Sequence, residues 1–388
     1  MTQAPAGPLV SVVMITYNHE LFIREALESV LTQQADFPIE VIVADDASTD
    51  RTADIVAELA EAHPAAVRPV LRTANIGIHA NLVDALDRTQ GTYVALCEGD
   101  DYWTDPLKLS RQVAFMEANP STALCFHPVR VTWSDLSAPD EEFPTSDRVA
   151  ELTLNALLAD NFIQTNSVLY RRLQRYDDIP DVMPLDWYLH IRHAMTGAIS
   201  MLPESMAVYR RHPGGVWSDA VTHHARFWTA HGPGHAAMTD ALLDLFGDDP
   251  VKRHLVSELA RRVLIELSRV DSEGVRPSAL LDTISAHPRW AELACRRLAS
   301  DYETSAQDLD HVQSAVAHLQ SVHEDSQARI SALEHRVEEQ RKRLRSQKRR
   351  IETLRDRVQQ RTEEAAALRR RLLGERFRGL ARRVRRRG

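Results

Sequence analysis

The sequence predicts an α/β fold: a doubly wound, mainly parallel sheet with helices on both faces, followed by a helical segment and a long C-terminal coiled coil. Three observations predict it. Four apolar, β-branched runs alternate with helical patterns near the N-terminus, amphipathic helix dominates residues 222–303, and a heptad seam runs without a slip from Leu309 to Leu372.

Taken in order, VSVVMI (10–15), EVIVA (40–44), VRPVL (67–71) and YVALC (93–97) read as near-continuous buried strands. Between them LFIREALESVLTQQ, DRTADIVAELAEAH and HANLVDALDRTQ place apolar residues at helical spacing, which is the βαβ alternation of a parallel sheet. Farther on, LCFHPVRVTW predicts a strand, NFIQTNSVLYRR a loop and strand, and PLDWYLHIRHAM an acidic turn opening a helix. AISMLPESMAVYRRHPGGVWS gives two short apolar runs and a Gly-Gly loop. The helices that follow are expected to break at Gly232-Pro233 and Gly247-Asp248, and nothing in them suggests chemistry, so they read as a packing domain or spacer. The seam, with Leu309 at an a position, implies a rod on the order of 95 Å at ~1.5 Å per residue. So long and charged a helix is expected to self-associate as a homodimer, with a trimer as the rival, and Gln340, Gln347 and Arg361 would set its register. Residues 376–387 carry seven arginines and no acid, with Phe377, Leu380, Ala381 and Val384 on one face, a pattern suited to an anionic membrane surface.

Composition narrows the class. A chain of 388 residues exceeds one compact core. Its net charge of -8 divides unevenly: residues 336–388 hold 21 Lys and Arg against 7 Asp and Glu, so residues 1–335 carry -22. No apolar run is long enough to cross a membrane, and MTQAPAGPLV lacks the pattern of a secretory leader, so the protein is expected in the cytoplasm. Cys97, Cys125 and Cys295 form no CxxC pair and read as small buried thiols. No GxGxxG follows the first strand and no GxxxxGK[ST] occurs, which counts against a dinucleotide oxidoreductase and excludes a P-loop. No nucleic-acid partner is expected.

Ligands on such sheets bind beyond the carboxyl ends of the strands. Those ends carry Thr16-Tyr17-Asn18-His19-Glu20, Asp45-Asp46-Ala47-Ser48-Thr49-Asp50, Asn75-Ile76-Gly77 and Glu98-Gly99-Asp100-Asp101. Glu98, Asp100 and Asp101, three carboxylates within four positions, repel one another, and a cation would offset them.

The series VSVVMITYN, IVADDASTDRT, NIG, GTYVALCEGDDYW, LDW and YRRHPGG resembles the family 2 glycosyltransferases, of the inverting, metal-dependent type with the GT-A fold, over roughly residues 8–218. The resemblance implies that Asp100 holds Mn²⁺ or Mg²⁺, ions that prefer hard oxygen ligands. Glu98 stands where the family usually has Asp and would lie near the donor's ribose. Asp46 would hydrogen-bond the nucleobase and Tyr17 would pack on it, with Thr16, Asn18, Glu20, Asn75 and Gly77 completing the donor site. Arg210 and Arg211 would neutralise the leaving diphosphate, and His212 would meet a phosphate oxygen or the metal. Asp186 would be the catalytic base, and Trp187 and Trp217 would line the acceptor. Plainer readings stand beside these: helix capping for Ser48, Thr49, Asp50, Asp105 and Asp186, a tight turn for Asn75 and Gly77, a core position for Trp187, and structural roles for His127, His190 and His193.

The implied activity is transfer of a hexosyl or N-acetylhexosaminyl group from a nucleotide-diphosphate sugar, a UDP-sugar first among them. The acceptor would be a saccharide or lipid-linked saccharide, in cell-surface polysaccharide synthesis at the inner face of the cytoplasmic membrane. The rival classes are a metal-dependent nucleotidyltransferase or phosphohydrolase, and a non-catalytic interaction protein. The expected domains are 1–220 (nucleotide-sugar half 1–106, acceptor half 107–220), a helical segment 221–304, the coiled coil 305–374 and the basic tail 375–388.

Overall fold

In a computed structural model of the chain, residues 7–136, 138–145, 151–213, 215, 223–272 and 279–303 are described, together with 331, 335–336, 338–342 and 345–346. Two compact units divide it, Met1–Gln313 and Ser314–Gly388. The second is described only at the last-named positions, all helical; the rest of the expected heptad seam, and the whole basic tail, lie outside the described residues.

A seven-stranded sheet forms the centre of the first unit. Its N-terminal strands are β1 (Val10–Thr16), β2 (Ile39–Asp45), β3 (Val67–Leu71) and β4 (Tyr93–Leu96), with α1 (Ile23–Leu31), α2 (Thr52–Ala62) and α3 (Ile78–Asp87) between them. β1 and β4 are buried throughout, as their apolar runs require. β3 is not: only Val67 is buried, because β3 is the edge of the sheet, where Pro69 costs no ladder hydrogen bond on its open side. On α1, Ile23, Ala26, Leu27 and Val30 are the buried residues, a stripe at helical spacing.

The second half departs from the simple alternation. LCFHPVRVTW is not one strand: it splits at His127-Pro128 into β6 (Thr122–Phe126) and β7 (Val129–Trp133), which belong to different sheets. Before them come β5 (Tyr102–Trp103) and α4 (Lys108–Ala118); after them come β8 (Glu141–Phe143), α5 (Leu154–Ala159), β9 (Leu169–Arg171), α6 (Leu185–Ala194), β10 (Ala198–Met201) and β11 (Ala207–Arg211). The main sheet runs β10-β6-β9-β4-β1-β2-β3, parallel except for β9, which is antiparallel to both neighbours. A second sheet, β5-β11-β7-β8, was not foreseen. Its strands have only 2 to 5 residues, too short for a period-two pattern to show.

Among the described residues four more helices follow: α7 (His224–Phe246), α8 (Pro250–Ser272), α9 (Ala279–Ala286) and α10 (Pro288–Glu303). The expected break at Gly232-Pro233 does not occur, and α7 passes through it. Tertiary packing holds the helix there: a Cβ on Gly232 would lie 2.5 Å from Leu267 Cδ2, and one on Gly234 would lie 2.7 Å from Met183 Cβ. Glycine is what allows both approaches.

Candidate active site

A cavity of about 790 Å³ opens over the carboxyl ends of the central strands. From β1 it receives Thr16, Tyr17 and His19, from the end of β2 Asp46, from the β3–α3 turn Asn75 and Gly77, and from the end of β4 Glu98 and Asp100. Arg210, Arg211 and His212 come from the end of β11, and Asp186 and Trp187 from the first turn of α6.

The turn after β4 is built around a glycine. A Cβ on Gly99 would meet Thr16 Oγ1 at 2.6 Å and His19 Nδ1 at 3.1 Å, so Gly99 lets both side chains sit against its backbone. Asp100 then faces two imidazoles: its Oδ2 lies 3.1 Å from His212 Nε2 and 3.8 Å from His19 Nε2. One ligand atom from each of these residues falls within 4.8 Å of the others, and this is the one group of three or more metal-ligating side chains so placed among the described residues. Burial raises the Asp100 carboxyl, but the His212 hydrogen bond and the two imidazoles outweigh it and hold it below the usual range. Burial lowers His19, against the pull of Asp100, so its imidazole stays neutral at physiological pH. Glu98 is pushed up to about 8, first by burial and then by Asp100 and Asp186, and so holds a proton at neutral pH. Asp101 turns away: it is fully buried, and its Oδ1 accepts the Arg210 N–H at 2.8 Å.

The second sheet brings His212 to Asp100. β5 follows the acidic turn directly and pairs antiparallel with β11, Trp103 opposite Ala207 and Tyr102 opposite Val208. The end of β11 is thereby laid beside the end of β4. The two arginines there part ways. Arg210 lies between the Phe22 and Tyr102 rings and forms an ion pair with Glu25 at 2.6 Å. Arg211 rests over Trp133, and its buried Nε has no hydrogen-bond partner, as a guanidinium prepared for an anion would.

The donor-end residues divide between cavity and scaffold. Tyr17 is 44% exposed at the rim, a ring able to take a base. The Asp46 carboxylate accepts Ile76 N–H at 2.8 Å and Gly77 N–H at 2.9 Å, and Gly77 has φ +88°, so the tight turn at Asn75–Gly77 is real and is tied to the cavity wall. A carboxylate has about four acceptor sites, so two remain for a ligand. Asn18 and Glu20 are not part of the cavity lining. Asn18 Oδ1 accepts Thr49 N–H at 2.8 Å, and Glu20 Oε2 accepts Arg51 N–H at 3.1 Å, so both brace the loop after β2. Asp50 receives Thr52 N–H at 2.9 Å and Asp105 receives Leu107 N–H at 2.8 Å, bracing the turns before α2 and α4, whose N-cap positions are Arg51 and Leu107. His127, His190 and His193 are fully buried in the core.

Asp186 is not the N-cap of α6, which is Pro184; it stands in the first turn and faces the cavity, where Thr165 Oγ1 donates to its Oδ2 at 3.0 Å. Trp187 serves both readings, since it is 7% exposed, donates Nε1–H to Leu157 O at 2.7 Å and still lines the cavity. Trp217 lies outside the described residues. The last helices pack as expected, with Leu242, Val263, Leu267 and Trp290 buried, and they also line the cavity with His231, Gly234 and His235 of α7 and Arg262 of α8. His19, Thr165 and these helix residues went unrecognised in the sequence. Only His19 carried a signal, its place in the loop after β1.

The model of glycosyl transferase family 2 matches residues 11–213, and the chain belongs to that family. It is 50% identical over 309 residues to an uncharacterized protein of Mycobacterium tuberculosis, covering 77% of this chain and 89% of that one. It is 34% identical over 109 residues, 28% of this chain and 41% of the other, to the Escherichia coli UDP-Glc:alpha-D-GlcNAc-diphosphoundecaprenol beta-1,3-glucosyltransferase WfaP. The crystal structure of S. aureus TarS 1–349 in complex with UDP-GlcNAc shares the fold, with TM-score 0.56 and 21% identity over 74% of this chain and 83% of that one. The protein is thus a GT-A glycosyltransferase, and among its described residues no helix is long and apolar enough to cross a membrane.

Proposed function

We propose that the protein transfers a sugar, with inversion, from a nucleoside diphosphate donor to a saccharide or lipid-linked saccharide acceptor in surface polysaccharide synthesis, and that the donor is a UDP-hexose or UDP-N-acetylhexosamine. One observation carries the reading: a single cavity is lined by a carboxylate between two imidazoles and by a second carboxylate, oriented by Thr165. The activity in the name of the Escherichia coli relative, glucosyl transfer from UDP-Glc to a diphosphoundecaprenol-linked sugar, supports the uridine donor and the lipid-linked acceptor.

In this reading Tyr17 and Asp46 take the base, Glu98 a ribose hydroxyl, and Arg211 the diphosphate. Asp186 receives the proton of the acceptor hydroxyl as its oxygen attacks the anomeric carbon from the face opposite the diphosphate. The bond to the phosphate oxygen breaks as the new one forms. The donor set fits a divalent cation such as Mn²⁺ or Mg²⁺, which when bound would be held by Asp100 and His212 and would stabilise the leaving diphosphate. The wall from α7 and α8 bounds the acceptor end. The chain's seam and basic tail support a homodimer or trimer held near an anionic membrane face.

The test is consumption of UDP-sugars with Mn²⁺, with and without a saccharide acceptor. Acceptor-dependent release of UDP supports the transferase. Equal release without acceptor would favour a phosphohydrolase, and absence of nucleotide binding a non-catalytic protein.

A further inference from the structure

We infer that His19 is a third protein ligand to the divalent cation, completing with Asp100 and His212 a two-imidazole, one-carboxylate set that favours transition metals over Mg²⁺. The inference rests on the proposed metal at Asp100 and adds to it. Three observations carry it. Both imidazoles turn Nε2 toward the same Asp100 oxygen, at 3.1 and 3.8 Å. Donors about 2.1 Å from a common ion stand between about 3 and 4.2 Å apart, so side-chain shifts of a few tenths of an ångström from the present 4.8 Å envelope suffice.

Second, the backbone of His19 is anchored independently of any ligand. Its N–H donates to Thr52 Oγ1 at 2.8 Å, and its carbonyl accepts Phe22 N–H at 2.9 Å and Ile23 N–H at 2.8 Å at the start of α1. The ring stands edge-on to His212, with centroids 5.8 Å apart at 87°, which leaves the nitrogens convergent. Third, a ligating histidine usually donates its other N–H to an outer acceptor. His19 Nδ1 and Thr16 Oγ1 are both buried without a hydrogen-bond partner, and both crowd the same side of Gly99. Settling Nε2 on an ion would let Nδ1–H reach Thr16 Oγ1 and satisfy both atoms.

Carboxylate and phosphate oxygens alone suit Mg²⁺, whereas two imidazoles shift the preference toward Co²⁺, Zn²⁺ and their neighbours. The experiment uses the full chain with UDP. Pulsed electron paramagnetic resonance of bound Mn²⁺ counts coupled imidazole nitrogens, and calorimetry compares Co²⁺ with Mg²⁺. The expected result is two imidazoles in the wild type, one in His19→Gln, and a loss of Co²⁺ affinity on the order of 10-fold or more in that variant, with Mg²⁺ little changed. A single imidazole in the wild type would overturn the inference while leaving the metal at Asp100 in place, and this count does not depend on any variant folding. If the wild type binds neither ion and Asp100→Asn changes nothing, the metal reading fails with it.

Discussion

Asp186 and Asp100 are both acidic, and their surroundings give them different work. Asp186 is oriented by one hydroxyl in a helix's first turn, whereas Asp100 is held charged between two imidazoles. Asp186→Asn keeps the shape but cannot accept a proton; donor binding should be unchanged and transfer slower by roughly 10² or more. Steady-state kinetics beside calorimetry with UDP check this, and retained turnover would return Asp186 to a structural role. Asp100→Ala should abolish metal-dependent donor binding, read by calorimetry with and without chelator. In chelator it should lower stability, because it removes a carboxylate that the His212 hydrogen bond and the two imidazoles hold ionised. Wild-type transfer unaffected by chelator would contradict the metal reading.

At the scale of elements, what matters is how closely two segments approach. α7 meets the loop before α6 at Gly234, whose carbonyl accepts Met183 N–H at 3.1 Å. On helix propensity alone, alanine at Gly234 would be favoured by about 1 kcal/mol. Its Cβ would instead lie 2.7 Å from Met183 Cβ and push away the loop that presents Asp186. Gly234→Ala should therefore destabilise by about 1 to 3 kcal/mol and lower kcat more than it weakens UDP binding. Chemical denaturation and kinetics together check this, and a stabilised variant of normal activity would contradict it.

For the whole molecule, buried titratable groups set the response to pH. Burial lowers His127 and His193 to about 3 and His190 and His235 to about 4. Unfolded histidines titrate near 6.5, so below that pH the unfolded chain takes up four protons that the fold refuses. Glu98, at about 8, and Asp101, raised well above its ordinary range, work the other way, each holding in the fold a proton that an unfolded carboxylate releases. The unfolded state binds about two protons more, so stability in chelator should fall by roughly 3 kcal/mol per unit as pH drops from about 6 to 5. Denaturation midpoints across that window check the slope, and a flat profile would contradict it. Assembly belongs to the same scale: light scattering should give a higher oligomeric order for the full chain than for one ending at Thr304, and two monomers would dismiss the seam as an assembly device.

The sequence by itself determined the first four strands, the helices between them, and the strand ends at which Thr16, Tyr17, Asp46, Glu98 and Asp100 stand. Burial on both faces forces long apolar runs, and a run's end marks the place for ligands whatever the rest of the chain does. It also marked Asp186 and His212, through motifs rather than physics. Tertiary structure alone decided what those residues meet. His212 reaches Asp100 because a two-residue strand, too short to have a period, pairs with β11. Arg210 and Arg211 are neighbours in sequence and both line the cavity, yet one is bound to Glu25 and the other rests over Trp133 with its buried Nε unpaired. α7 looked like a spacer because its contribution is a Gly-Pro-Gly that reads as a break until Leu267 and Met183 are seen against it. Local pattern reports the burial of one segment's own face, whereas a site is made by approaches between segments far apart in the chain, which no local pattern encodes.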